Sequence, residues 1–110
     1  MSKPKYPSEF EQMVLLAVLQ AGDDAYGLVI RRELEARAGR KVSHGAAYVT
    51  LDRLEAKGLV SSELGGSAPG RGGRRKRLFR VTPPGLAALR ASREALGKLW
   101  QGVEELSEES

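Results

Sequence analysis

The chain has 110 residues and no cysteine, which suits one domain with at most one appended element and excludes disulfides and thiolate metal sites. Its net charge of +4 is unevenly spread. Four of the 14 acidic residues lie at positions 104–110, which leaves residues 1–103 with 10 acidic against 18 basic residues, a net charge of +8. A basic body with an acidic tail favours a polyanionic partner; a charge that only aids solubility is the alternative.

The sequence contains neither targeting nor catalytic signals. Residues 1–10 lack the apolar core of a signal peptide, and the longest apolar run, residues 13–19, is too short to cross a bilayer. One histidine, no phosphate-binding loop and no paired carboxylates in an apolar setting leave little for catalysis. We expect a cytoplasmic protein without membrane contact, enzymatic activity, cofactor or metal.

Two helices are predicted at the start of the chain. Ser8, followed three residues later by Glu11, forms a capping box that begins the first helix. The wide apolar surface of this helix predicts burial on more than one side. The Gly-Asp-Asp sequence at 22–24 ends it, and a second helix is predicted over residues 25–37, with Gly39 as its C-terminal cap.

The third predicted helix, residues 43–58, has two unlike faces. Ser43 can cap it, and Ala47, Leu51 and Leu54 form one inward stripe at helical spacing. The opposite face is small at its N-terminal end. This helix could therefore lie deep in a groove and present the positive end of its dipole to a phosphate.

A basic hairpin is predicted after the third helix. Segments 59–64 and 77–82 have the pattern of two antiparallel strands, and the glycine-rich linker between them is predicted to project as a loop. Five of the seven residues at 71–77 are basic and none is acidic. The order predicts a winged helix-turn-helix, mainly α with a small antiparallel β wing. The third helix suits the major groove of duplex DNA, and the wing suits its backbone or minor groove.

The candidate DNA-binding residues come from this helix and this wing. They are Ser43, His44, Tyr48, Thr50, Arg53, Arg71, Arg74, Arg75, Lys76 and Arg77. Some of them have a structural alternative. His44 can face only solvent, and Tyr48 can pack in the core with its hydroxyl at the rim instead of on a phosphate. Arg53 can pair with Glu55 on the helix surface.

The last predicted helix carries a heptad-like seam. Thr82 caps it, Pro83 fits its first position, and apolar residues then recur every seven positions. The candidate dimer-interface residues are Leu89, Leu96, Leu99, Trp100, Val103 and Leu106. We expect a winged helix-turn-helix over residues 8–82 and a C-terminal dimerisation helix over 83–107, with a second copy of the chain covering the seam. Trp100 could bind a small aromatic effector between two copies, or only pack at the interface.

These motifs also resemble those of PadR-type transcriptional regulators. The likeness covers about residues 8–100 and rests on four motifs. They are Tyr26-Gly27, the Gly-x-x-Tyr-x-x-Leu-x-Arg-Leu-Glu pattern at 45–55, Gly58-Leu59, and Thr82-x-x-Gly85. The resemblance implies a homodimeric winged-helix repressor that binds a palindromic operator and dimerises through its last helix. Some members of the family respond to small phenolic or flat apolar compounds.

The wing departs from the family pattern. The usual Gly-Arg-Pro-Arg-Lys has no proline here, and the loop is longer and richer in glycine, so the family's wing geometry does not carry over. The chain resembles the short form of the family, with a single C-terminal helix. The alternative function is a winged-helix protein–protein interaction module with no specific DNA target, whose basic wing binds an acidic protein surface.

Overall fold

The computed structural model describes residues 6–65 and 76–103. The helices and strands, in chain order, are α1 (Glu9–Ala21), α2 (Gly27–Ala38), α3 (His44–Ala56), β1 (Val60–Leu64), β2 (Arg77–Val81) and α4 (Pro83–Trp100). A short 3-10 helix, Gly22–Asp24, follows α1. This order confirms the predicted fold class, mainly α with a two-stranded antiparallel wing.

The helix ends follow from local side-chain caps, as predicted. The Ser8 hydroxyl accepts from the Glu11 backbone N–H at 3.1 Å, and the Glu11 carboxylate accepts from the Ser8 N–H at 2.8 Å, which completes the capping box. Ser43 and Thr82 cap α3 and α4 in the same way through one hydroxyl each. Gly39 ends α2 with φ 65°, a conformation that favours glycine.

Glu11 also joins α1 to the end of α3. Its buried carboxylate accepts a hydrogen bond of 2.7 Å from the Lys57 ammonium, and Lys57 is the residue at which α3 ends. Burial alone would raise the pKa of Glu11, but the bonds from Lys57 and Ser8 hold it below its ordinary value of 4.5. The carboxylate therefore keeps its charge and fixes the C-terminal end of α3 against the start of α1.

The core lies where the sheet packs on the first three helices. Strands β1 and β2 pair antiparallel from Val60 opposite Val81 to Leu64 opposite Arg77. Phe79, at the middle of β2, is fully buried, and its N–H donates to the Ala25 carbonyl at 3.0 Å just ahead of α2. The largest fully buried side chains are Phe79, Leu15, Ile30, Leu34, Leu51, Leu54, Val14 and Val60. This core holds α3 and the wing in one rigid unit.

The last helix differs from its prediction at both the seam and the end. Leu89, predicted at a dimer interface, is 7% exposed and packs into the core of its own domain together with α1. The helix stops at Trp100, because Gln101 is extended and Gly102 has φ 84°. The prediction of one unbroken helix over 83–107 is therefore wrong, because the helix is interrupted at residues 101 and 102. Leu106 lies outside the described residues.

Within residues 6–65 and 76–103, no helix is long and apolar enough to cross a membrane.

Candidate nucleic-acid interface

The outer face of α3 begins with small, exposed residues. Gly45 and Ala46 are exposed in its first turn, beside His44, and Val49 follows with 58% of its surface exposed. Arg53 is exposed one turn further on. A partner can therefore come close to the helix backbone at the N-terminal end of this face. Further along, the face presents the apolar side chain of Val49 and the cationic side chain of Arg53.

Thr50 does not belong to that face. Only 5% of it is exposed, and it lies among the buried residues of α3 with Ala47, Leu51 and Leu54. The spacing of three residues from Ala47 and four to Leu54 puts it on the inward stripe. The prediction that Thr50 points outward to DNA is wrong.

Tyr48 lies at the boundary between the core and the outer face, as predicted. Its ring meets the buried Phe79 edge-on at 6.0 Å and the exposed His44 ring at 4.5 Å. It also covers the start of α2, since a Cβ added to Gly27 would stand 2.5 Å from the Tyr48 hydroxyl oxygen. The glycine of the Tyr26-Gly27 motif is therefore required by the Tyr48 ring.

Arg77 joins the wing to α3 through several side chains. Its guanidinium pairs with Asp52 at 2.8 Å and with Glu55, both on α3. Its Nε donates to the Ser62 hydroxyl of β1 at 3.1 Å, and Ser62 donates in turn to Glu55 at 2.7 Å. The guanidinium carbon lies 4.8 Å from the centre of the Phe79 ring. Three of these four neighbours bind Arg77 through hydrogen bonds or ion pairs, so the side chain is fixed in place.

The charges of this group support one another. The hydrogen bond from Ser62 and the bonds from Arg77 hold the pKa of Glu55 below its ordinary value, against burial and the nearby charge of Asp52. Burial opposes the charge of Arg77, but Asp52 and Glu55 outweigh it and raise the pKa of the guanidinium. Glu55 and Arg77 therefore both stay ionised across the neutral pH range.

The predicted DNA contacts in the wing divide into three groups. Arg77 is bound within the protein, although the sequence placed it among the DNA-binding residues. Lys76 is exposed, with its ammonium 5.3 Å from the centre of the Tyr26 ring. Arg71, Arg74 and Arg75 lie outside the described residues. The sequence suggested Arg53 as a partner for Glu55, but Glu55 pairs with Arg77.

A second, apolar surface lies on the C-terminal half of α4 and the residues just beyond it. Leu96, Trp100 and Val103 are exposed there, and Leu99 has 75% of its surface exposed. Two exposed leucines of α1, Leu16 and Leu19, continue this apolar face, which the sequence analysis did not anticipate. An open groove of about 540 Å³ runs between the two helices. Its lining includes Leu16, Leu19, Leu86, Leu89, Leu96 and Trp100.

Three helices, an antiparallel hairpin and a long fourth helix define the winged helix-turn-helix class. The model of the PadR-like transcriptional regulator family matches residues 15–91, and the chain belongs to this family. Transcriptional regulator Rv3488 of Mycobacterium tuberculosis is 43% identical over 83 residues, which are 76% of this chain and 73% of that protein.

Solved structures of the family have the same fold. A PadR family transcriptional regulator from Eggerthella lenta superposes with a TM-score of 0.67 at 28% identity, covering 93% of this chain and 88% of that one. A PadR-like transcription factor from Bacteroides fragilis reaches a TM-score of 0.71 at 24% identity over 88% of each chain, a likeness of fold alone.

Proposed function

We propose that this regulator is a homodimeric repressor that binds a palindromic operator through helix 43–58 and the basic wing 65–77. The observation that carries the proposal is the outer face of α3. Its first turn is small and exposed, Arg53 stands on the same side, and the helix is fixed to the C-terminal end of the basic wing at Arg77. Such a face can enter the major groove closely, while the wing cations meet the phosphates.

Each candidate contact on α3 has a separate role in this proposal. The start of the helix, at Ser43 and His44, lies where a phosphate would meet free backbone N–H groups. The Tyr48 hydroxyl, at the rim of the core, can donate to a phosphate. Arg53 is the candidate for reading a base edge, since arginine bonds guanine in a bidentate manner. Val49, exposed between them, suits an apolar contact with a thymine methyl group.

The proposal predicts that operator affinity falls steeply with salt. Each neutralised phosphate contributes a slope of about −0.9 to the plot of log K against log[salt]. Replacing Arg74, Arg75 and Lys76 together by alanine is expected to weaken binding to every duplex and to reduce the slope by about one per lost contact. Fluorescence anisotropy on one operator duplex and one random duplex, from low to moderate salt, measures both quantities.

Arg53→Ala provides the contrast to the wing variant. It is expected to weaken operator binding by about 1–3 kcal/mol while leaving random duplexes nearly unchanged. Equal losses on both duplexes would remove Arg53 from base reading. If wild-type affinity is flat across the salt range, or no duplex is bound while a protein partner co-purifies, the interaction-module alternative holds instead.

The apolar face of α1 and α4 supports the homodimer. Four large apolar side chains are exposed at the end of α4 and just beyond it: Leu96, Leu99, Trp100 and Val103. Leu16 and Leu19 extend the same face. A second copy of the chain, related by a two-fold axis, would cover this face with an identical one and bring two copies of α3 to two half-sites of a palindrome.

The groove beside Trp100 favours a second role, binding of a small aromatic effector. The indole is half-exposed and lines the groove with aliphatic side chains of α1 and α4, a lining that suits a flat apolar molecule. As the chain has a single tryptophan, titration with flat phenolic compounds can be followed by indole fluorescence. Quenching that saturates supports the role, whereas unchanged emission would leave Trp100 as a packing residue of the dimer.

A further inference from the structure

One arginine holds the wing at a fixed position relative to the third helix. Arg77 is the first residue of β2 and pairs with Leu64, the last residue of β1, so it lies at the end of the sheet where β1 stops and β2 begins. From there its side chain returns to α3 and bonds two carboxylates one turn apart. The sheet and the third helix are thus connected at the base of the wing.

The contacts of Arg77 fix the orientation of its guanidinium as well as its position beside α3. A planar guanidinium that bonds Asp52 and Glu55 through different nitrogens has one orientation, and the Ser62 hydroxyl binds its third nitrogen. Ser62 also donates to Glu55, so β1 joins the same network. The Arg77 side chain is partly buried, with 30% of its surface exposed, and Glu55 is 35% exposed, so both are partly shielded from water.

We propose that Arg77 is a positioning residue that sets the wing relative to the recognition helix, and that it does not itself neutralise DNA phosphate. This inference rests on the proposed DNA-binding function. The charge of Arg77 is matched by two carboxylates, which leaves no surplus positive charge at this point of the surface. A residue selected for phosphate would gain nothing from two anions beside it.

The positioning role explains why α3 carries acidic side chains next to a DNA-binding wing. Asp52 and Glu55 would each repel phosphate, so a purely electrostatic interface would be stronger without them. As anchors of Arg77, they fix the two-stranded sheet, and with it the described end of the basic wing, relative to α3. If the carboxylates only repel phosphate, neutralising one of them should tighten operator binding. If they anchor Arg77, neutralising one of them should weaken operator binding.

The sheet offers a matched control pair. Arg80 and Glu63 stand on the same two strands as Arg77 and Ser62, but their charged groups are 3.9 Å apart and about two-thirds of each side chain is exposed. Glu63→Gln removes one negative charge from the wing, as Glu55→Gln removes one from α3. Only Glu55→Gln weakens the contact between Arg77 and α3.

The test measures affinities of Glu55→Gln, Arg77→Met and the double variant for an operator duplex and a random duplex. We expect Glu55→Gln to weaken operator binding by about tenfold and to leave or improve random binding. Arg77→Met is expected to weaken operator binding at least as strongly and random binding less, because it also leaves the charges of Asp52 and Glu55 unpaired. The double variant is expected to be no worse than Arg77→Met alone, because both substitutions remove the same contact between the sheet and α3. Glu63→Gln is expected to bind both duplexes as tightly as wild type or more tightly.

Three results would overturn the inference while the DNA-binding function stands. The first is that Glu55→Gln tightens operator binding as much as Glu63→Gln does. Another is an equal loss on both duplexes for Arg77→Met, with additive losses in the double variant, which would make Arg77 a phosphate contact. The third is an unchanged preference for the operator in every variant. If wild type binds no duplex, the proposed function fails first.

Ser62→Ala keeps the test valid if a charge variant unfolds. It leaves Arg77, Asp52 and Glu55 in place and removes only the hydroxyl that bonds two of them. We expect a smaller loss of operator preference in the same direction, with thermal unfolding close to that of wild type. Loss of preference in a folded variant distinguishes positioning from a general loss of stability; an unchanged preference would contradict it.

Discussion

Replacing Leu96 and Leu99 together by lysine is expected to convert the protein to a monomer and to lower operator affinity by about 10²- to 10⁴-fold, because the second half-site is then no longer bound in the same event. Both side chains are exposed on α4 and lie in the apolar face shared with α1. Lysines there would have to be desolvated in a dimer, which opposes association. Sedimentation velocity and duplex binding measure the two effects.

The control for this variant adds the same charge to the same helix. Ala87 and Ala91 are exposed on α4 and are not among the apolar residues that line the groove. Lysine at both positions is expected to leave the sedimentation coefficient and operator affinity nearly unchanged. If the Leu96 and Leu99 variant sediments as wild type does, these leucines do not form the dimer interface.

Gly85→Ala is expected to lower the free energy of unfolding by about 3 kcal/mol, the upper part of the range for an overpacked core site. Gly85 is buried in the first turn of α4, where an added Cβ would overlap the Leu59 carbonyl oxygen and approach Val81 Cγ1 to 2.9 Å. The same carbonyl accepts the Thr82 N–H at 3.0 Å, so the backbone cannot simply move aside. Urea unfolding followed by circular dichroism gives the difference.

Gly97→Ala is the matched control on the same helix. A Cβ at Gly97 would meet no heavy atom of the described residues within 4 Å. Alanine in an exposed helical position is expected to stabilise by about 0.5–1 kcal/mol. If Gly85→Ala proves as stable as wild type, the close approach of α4 to the Leu59 carbonyl, just ahead of β1, is not what the fold requires.

The features that the sequence predicted correctly are the local ones. The caps at Ser8, Ser43 and Thr82 depend on residues within one turn, so their chemistry is visible in the sequence. The patterns at 59–64 and 77–82 are also local, and they predict the two antiparallel strands that the structure shows. Gly102 is a local signal of the same kind, and it could have placed the end of α4 near Trp100.

The wrong predictions concern the neighbours that a residue contacts in the folded chain. Helical spacing put Leu89 on the same row as Leu96, but only the structure says that the first half of α4 is covered by its own domain. Thr50 was read as exposed because its hydroxyl is polar, although its position is on the inward stripe. Arg77 was grouped with the wing cations because its partner Glu55 is 22 residues away in the sequence.

The central claim, that two copies of α3 read a two-fold symmetric site, is tested most directly by selecting bound sequences from a random duplex pool with the unmodified protein. We expect enrichment of a palindrome whose half-sites are separated by about 10 base pairs or a multiple of that spacing, one helical turn of the duplex. Enrichment of a single asymmetric site, or of no sequence at all, would contradict it.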